Sequence, residues 1–324
     1  MKTSGMISTV GVIAGVFLPG LLIIILGAIW FITGNGTEIV FSARDMIPDL
    51  TDINKIVLLA GALLIFSGVE VSAVHAEDVR DPKHDYPRAT FLAAGIALVV
   101  LMLGSLSIAI VVPQGDLSLV SGIMEAFTLF LDKFDLKWLI PVIAVLIAAG
   151  SVGELCSWIV GPSKGLYATA KHGNLPPFLQ HVNGNGVPTH IIYVQAGIVT
   201  LFTFVFLVMP AVSSSYWILS VLCILLYLIM YVFVYSAAIR LRYCRPDVSR
   251  PYKVPGGFSG MWIVAGIGIL GALFTIVIGF FPPSQLKTGN VLFYKGFFII
   301  GTIIMCAAPL IISCFKNPSW KFKN

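Results

Sequence analysis

The sequence contains few charged residues. Asp, Glu, Lys and Arg make up 11% of its 324 residues, whereas a soluble globular domain carries roughly 25%. Hydrophobic residues make up 58%, and the mean hydropathy is +0.96. These values exclude a soluble globular protein. The net charge of +5 is scattered among apolar runs, so the basic surface of a nucleic-acid-binding protein is absent and we predict no nucleic-acid partner.

The sequence also lacks the motifs of several enzyme classes. It contains no G-x-x-x-x-G-K-[ST], G-x-S-x-G or H-E-x-x-H, so nucleotide-driven transport and the familiar hydrolase and zinc-protease chemistries lack their parts. Its five cysteines show neither the spacing of a metal site nor that of a disulfide framework. We therefore predict a protein that is not an enzyme and that uses no cofactor and no metal.

Long apolar runs dominate the sequence instead. A membrane-spanning helix needs about 20 mostly apolar residues. Runs of this kind lie at 8–33, 56–75, 89–112, 138–163, 190–210, 214–239, 261–281 and 293–315. Gly, Pro, Asn or charged residues bound each run. The pattern predicts an all-α integral membrane protein with about eight transmembrane helices and short loops.

The connecting segments predict the orientation of the chain. If both termini lie inside, the inner segments hold 14 of the 20 Lys and Arg residues and the outer segments hold the remaining 6. Positively charged loops stay on the cytoplasmic side of a membrane. We therefore predict a multi-pass protein of the inner (plasma) membrane with both termini cytoplasmic.

Two acidic residues, Glu70 and Glu154, fall well inside apolar runs, whereas the other thirteen of the fifteen lie in loops or at helix ends. A carboxylate at membrane depth costs several kcal/mol unless it is paired, hydrated or protonated, so such residues usually face a cavity on a substrate or proton path. The alternative is a structural carboxyl group in an inert helix bundle.

The residues around Glu70 predict a break in the helix. Ser67, Gly68 and Ser72 interrupt an apolar run, and an unwound stretch would free backbone N–H and C=O groups to bind the polar ends of a substrate. The alternative is an ordinary helix in which Gly68 allows close packing against a neighbour.

Aromatic residues add to both candidate sites. Trp158 lies four residues after Glu154 and shares its helix face, which suits a substrate ammonium group, although an interfacial tryptophan would lie at a similar depth. Tyr227 and Tyr231 are also four residues apart. Their hydroxyl groups can bond to a ligand or to another helix.

Four parts of the sequence resemble the amino acid-polyamine-organocation superfamily. They are Ser67–Glu70 with Asp81–Ala89, Ser157–Gly165, Gly173–Phe178 and Arg250–Gly257. The stretch from Trp158 to Ser163, together with the intact Glu154, is most similar to the glutamate/GABA antiporter family.

The resemblance implies a LeuT-like transporter fold of twelve helices with two inverted five-helix repeats. This chain resembles helices 5 to 12 only, so we expect the first four of the usual twelve to be absent. We expect one transmembrane transporter domain, 1–324, in which 8–33 is the last helix of repeat 1, 56–239 is repeat 2 and 261–315 holds two terminal helices.

The resemblance also implies a function and a site. The chain would be an amino-acid antiporter that exchanges glutamate for GABA or related amino acids by alternating access in the lipid bilayer. Its substrate-binding residues would be Ser67, Gly68, Glu70, Glu154, Trp158, Tyr227 and Tyr231.

Two other hypotheses remain open. One is a truncated, non-transporting membrane fragment or partner subunit that needs a separate N-terminal part or forms a homo-oligomer. The other is a polytopic membrane enzyme that uses His75 and Glu77, although no catalytic motif surrounds these two residues.

Overall fold

A computed structural model describes residues 2–40, 51, 56–57, 68–113, 122–208, 212–250, 252–281 and 291–320. Within these ranges the chain forms helices and turns, and none of the described residues lies in a β-strand. The all-α prediction is confirmed for this part of the chain.

The helices follow one another with short connections. In chain order they are α1 (Lys2–Val12), α2 (Leu18–Ile32), α3 (Asp85–Val111), α4 (Gly122–Lys133), α5 (Ile140–Lys171), α6 (Thr189–Thr203), α7 (Val205–Val208), α8 (Val212–Cys244), α9 (Gly257–Gly279) and α10 (Val291–Cys314). Four short 3-10 helices accompany them, at Val69–Asp78, Lys137–Leu139, Pro177–Gln180 and Pro318–Trp320.

Seven stretches of the described chain are long and apolar enough to cross a membrane. They are Gly5–Ile32, Asp85–Val111, Lys137–Lys171, Thr189–Val208, Ser214–Cys244, Gly257–Gly279 and Leu292–Cys314. Each corresponds to one predicted run. Half of the remaining predicted run, 56–75, lies outside the described residues, and its described end belongs to the 3-10 helix Val69–Asp78.

The first membrane stretch contains a π-helical turn, Ile13–Phe17, between α1 and α2. Pro19 explains the turn, because proline has no N–H to donate to the carbonyl group four residues earlier, that of Gly15, and its ring crowds that carbonyl. A π turn is one way for a helix to absorb such a disruption.

The chain divides into two compact units. Unit 1 comprises Met1–Ile47 and Thr90–Gly165, and unit 2 comprises Pro48–Ala89 and Leu166–Asn324. The core of unit 1 forms where α2, α3, α4 and the start of α5 meet. Phe130 and Leu131 of α4 are fully buried there, against Ile23, Val111 and Ile143.

Glycines allow the first helical stretch and α5 to touch backbone to backbone within unit 1. A Cβ atom added to Gly15 would lie 2.3 Å from the Cα atom of Gly150, and one added to Gly11 would lie 2.9 Å from the Cα atom of Gly153. Such distances are far below van der Waals contact, so neither position has room for a side chain. Small residues at helix crossings are a common packing device in membranes.

Two of the core clusters described in unit 2 join α8 to the helices that follow it. One joins α8 and α10, where the buried Tyr294 and Phe298 rings contact each other edge to face with centroids 4.5 Å apart, beside Ile218 and Leu225. The other joins α8 and α9 around the buried Ile239. These contacts fix the helix that carries the predicted tyrosines.

Hydrogen bonds hold the segment after α10 in place within unit 2. The Gln180 side-chain amide nitrogen donates to the backbone oxygens of Ala170 (3.1 Å) and Trp320 (2.7 Å). The Lys316 Nζ atom donates to Asn174 Oδ1 at 2.6 Å. The chain after α10 is thereby bonded to the connection between α5 and α6.

Candidate functional site

Gly68 marks the start of the 3-10 helix that carries Glu70. Its φ of 99° lies in the left-handed region, where glycine pays no steric penalty and other residues are strained. From Gly68 onward the described chain forms a left-handed turn and a 3-10 helix rather than an α-helix. Ser67 and the residues before it lie outside the described residues, so the break stays a prediction.

The Glu70 carboxyl group joins Gly68 to helix α8. Its Oε2 atom accepts hydrogen bonds from the Tyr231 hydroxyl at 2.6 Å and from the Gly68 N–H at 3.0 Å. The same N–H lies 3.1 Å from the Tyr231 hydroxyl oxygen. The Glu70 carboxyl group, the Tyr231 hydroxyl group and the Gly68 N–H thus all contact one another within unit 2.

The second oxygen of the same carboxyl group has no hydrogen-bond partner among the residues that the structure describes. Glu70 Oε1 is buried and accepts no hydrogen bond from any described residue. A buried polar atom without a partner is costly, and in native structures such an atom calls for an explanation such as a bound ligand, water or ion. Glu70 therefore offers an unused acceptor next to an occupied one.

Aromatic rings line the α8 side of this contact. The Tyr227 and Tyr231 rings meet edge to face with centroids 6.1 Å apart, because their four-residue spacing places them on one helix face. Tyr231 bonds to a carboxyl group on another element. The sequence left two roles open for the Tyr231 hydroxyl group, bonding to a ligand or to another helix. In this structure it bonds to another part of the protein, the Glu70 carboxyl group.

The second predicted acid lies in the other unit. Glu154 and Trp158 are on α5 in unit 1, where the Glu154 side chain is exposed and Trp158 is 36% exposed. Between them, Ser157 forms a short hydrogen bond with Ser8 of α1, and the Ser8 hydroxyl group is 3.1 Å from the Gly153 carbonyl oxygen, to which it donates. The structure thus brings Gly68, Glu70 and Tyr231 together, with Tyr227 alongside.

Ser72 is a neighbour of the Glu70 contact that sequence reasoning did not select. Its hydroxyl group donates to the Val69 carbonyl oxygen at 2.8 Å and lies 3.0 Å from the Tyr86 hydroxyl group at the start of α3. Its position two residues after Glu70 in the small, polar stretch was an available signal. The contact with Tyr86 was not, because it depends on how the chain returns after the 3-10 helix.

No metal-binding group is found in the part of the chain that the structure describes, where no three His, Cys, Asp or Glu residues could hold an ion together. The chemistry of the Glu70 contact is that of hydrogen-bond acceptance. A carboxyl oxygen with no partner, next to aromatic rings, suits an ammonium group.

The fold defines a class of protein: a multi-pass membrane protein with seven apolar spans among its described residues. The family model described as amino acid permease matches residues 1–305. The chain therefore belongs to the amino acid permease family, within the amino acid-polyamine-organocation superfamily. The predicted resemblance is confirmed.

Individual relatives agree with this membership. The chain is 37% identical to an uncharacterized transporter of Legionella pneumophila, over 97% of this chain and 67% of the relative. It is 33% identical to a glutamate/gamma-aminobutyrate antiporter of Lactococcus lactis, over 93% of this chain and 61% of the relative. A cadaverine/lysine antiporter of Escherichia coli is 27% identical over 56% of this chain and 39% of the relative.

The chain thus spans about two thirds or less of the length of these relatives. They are transporters rather than enzymes, which favours transport over the enzyme hypothesis based on His75 and Glu77. The side chains of those two residues lie outside what the structure describes.

Proposed function

We propose that this chain takes part in amino-acid antiport, with glutamate, GABA or a similar amino acid as substrate. Membership of the permease family and the 33% identity to a glutamate/gamma-aminobutyrate antiporter support this substrate class. The substrate, a small zwitterion, carries an ammonium group that needs hydrogen-bond acceptors inside the membrane, where water is scarce.

The buried, unpaired Oε1 atom of Glu70 is the observation on which the proposal depends. A substrate ammonium group has three N–H donors and would satisfy this oxygen directly. The gain would come from two sources: a charge-assisted hydrogen bond, and the relief of a buried acceptor left without a partner.

The Tyr231 bond gives the same carboxyl group two arrangements. While the hydroxyl group occupies Oε2 at 2.6 Å, only Oε1 is available. If the Tyr231 bond opens, Oε2 keeps the Gly68 N–H and can accept a second hydrogen bond, from the substrate, beside Oε1. Alternating access requires two arrangements of a binding site, and this switchable contact would supply one local difference between them.

The other predicted residues complete the proposal. Ser67 and Gly68 would offer backbone groups to the substrate, and Trp158 and Tyr231 would act as walls. Tyr227 would be a further substrate-binding residue, and Glu154 would be a second acid that sets the admitted charge state. These roles rest on the family resemblance.

The architecture and location remain part of the proposal. We propose a LeuT-like arrangement in one transporter domain, with 56–239 as its second repeat, in the plasma membrane with both termini cytoplasmic. The alternative is a membrane fragment or partner subunit that needs a separate N-terminal part for transport; the greater length of the relatives is the observation that keeps it open.

Substrate exchange in proteoliposomes tests the proposal. Vesicles that contain the full chain and unlabelled glutamate or GABA should take up labelled substrate. The Glu70→Gln variant should lose a charge-assisted hydrogen bond of about 1.5–3 kcal/mol, which corresponds to roughly 10- to 150-fold weaker apparent affinity.

Glu38→Gln is the matched control, because it makes the same chemical change at an exposed side chain and should behave like the parent. Equal uptake by the two variants would remove Glu70 from the site. Absence of exchange in the parent chain would favour the fragment or partner-subunit hypothesis.

A further inference from the structure

The end of α8 and its connection to α9 carry a cluster of five positively charged residues in unit 2. Residues 240–253 contain five cations and one acid, Asp247, which gives a net charge of +4 over 14 residues. The cations are Arg240, Arg242, Arg245, Arg250 and Lys253. This segment begins in the last turns of the apolar stretch Ser214–Cys244 and ends before the next one, Gly257–Gly279.

Arg250 serves the fold of this connection. Its guanidinium group donates to the backbone oxygens of Leu241 (2.8 Å), Arg245 (2.7 Å) and Val248 (3.0 Å), and a fourth oxygen lies at 3.5 Å. The last carbonyl groups of a helix lack intrahelical partners, and a cation is favourable at that end. Arg250 thus caps α8 and orders the turn.

Three of the four remaining cations face outward. Arg240, Arg245 and Lys253 are exposed, and none of them contributes to the Arg250 cap with its side chain. A membrane protein that gathers exposed cations beside two apolar spans attracts negative charge to that level of the bilayer, at about 1 kcal/mol per Lys or Arg near an anionic surface.

Aromatic side chains place this cluster at the boundary between water and lipid. The Trp262 ring N–H donates to the Tyr243 hydroxyl oxygen at 2.9 Å, and the Tyr243 and Phe258 rings lie 5.0 Å apart. Tyr243 and Trp262 are 57% and 52% exposed. Exposed Trp and Tyr side chains are typical of the headgroup level of a membrane, where one end of the ring is apolar and the other is wet.

The geometry points to a binding site for an anionic phospholipid headgroup at this connection. Arg240, Arg245 and Lys253 would hold the phosphate, while the Tyr243 and Trp262 rings would lie beside the glycerol and upper acyl region. The positive charge of the cluster favours an anionic lipid over a zwitterionic one. The adjoining apolar spans favour a lipid over a free anion.

Lipid binding to the full chain in a non-ionic detergent tests the site, with native mass spectrometry as the readout. Phosphatidylglycerol should bind more tightly than phosphatidylcholine of the same acyl length. Each removed cation should weaken phosphatidylglycerol binding about fivefold, so Arg240→Gln with Arg245→Gln should weaken it roughly 25-fold. The charge-preserving pair Arg240→Lys and Arg245→Lys should bind much as the parent does.

Lys133→Gln with Lys295→Gln is the matched control, because it removes two positive charges from other segments and should leave binding near the parental value. Three results would each overturn the site: equal binding of the two lipids, parental affinity in the arginine-to-glutamine pair, or an equal loss in the control pair. Inorganic phosphate that displaces the lipid at similar concentration would show a soluble-anion site instead. If the double variant does not fold, Arg245→Gln alone should show the fivefold loss, and parental affinity would overturn the site.

Discussion

Replacing Tyr231 with Phe removes one oxygen atom from the Glu70 contact and leaves the ring in place. The lost bond is the shorter of the two that Glu70 Oε2 accepts, at 2.6 Å against 3.0 Å for the Gly68 N–H. The Gly68 N–H keeps its bond to Glu70 but loses its second acceptor, the Tyr231 hydroxyl oxygen at 3.1 Å.

The expected cost follows from the geometry. One hydrogen bond of this kind is worth about 1.5 kcal/mol, where the ranges for neutral and charged partners meet. The start of the 3-10 helix Val69–Asp78 is bonded to α8 through this contact, so its local opening should become easier by that amount. Amide hydrogen exchange reports local opening, and exchange in peptides covering 68–78 should be about tenfold faster.

Tyr235→Phe is the matched control. Tyr235 lies four residues further along α8, and its ring is 6.4 Å from that of Tyr231, but its hydroxyl group is not part of the Glu70 contact. Exchange measured by mass spectrometry in detergent micelles should change only in the Tyr231 variant. Parental exchange in that variant, or equal acceleration in both, would refute the reasoning.

Two further predictions concern packing and pH. Gly150→Ala should destabilise the chain by about 1–3 kcal/mol in thermal unfolding, because its Cβ atom would lie 2.7 Å from the Gly15 Cα atom. Gly95→Ala is the control, because a Cβ atom at Gly95 would meet open space. Equal effects of the two substitutions would contradict the close crossing. The His84 side chain, by its hydrogen bond, holds the pKa of the Asp81 carboxyl group below 3.8, so this contact stabilises the fold above about pH 3.8 and loses that effect as the pH falls through the lowered pKa. His84→Ala should raise the Asp81 pKa in a carboxyl NMR titration, and an unchanged titration would contradict the contact.

Apolar run length predicted the spans well, because the thickness of a bilayer sets the length of a helix directly. The ends of the helices were harder to predict. The predicted run 138–163 ends one residue after Pro162, yet α5 continues to Lys171. Proline is tolerated inside transmembrane helices, since neighbouring groups can satisfy the freed backbone.

The candidate site was predicted in part. Local composition identified Glu70 and predicted a break beside Gly68, because an acid and small residues in an apolar run are visible without a structure. The partner of Glu70 was not predictable, since Tyr231 lies 161 residues away and no spacing rule joins residues on separate elements. The unpaired state of Oε1 likewise depends on packing in three dimensions.

The Gln180 amide group has a practical consequence for anyone who labels this protein. One of its bonds ends on the Ala170 carbonyl oxygen nearby in the sequence, and the other ends on the Trp320 carbonyl oxygen 140 residues away. A fluorescent or affinity tag fused soon after Trp320 would therefore disturb the hydrogen bond that joins this segment to the connection between α5 and α6. The exposed turn at Gly184–Gly186, with open space around both glycines, is a better place for a reporter.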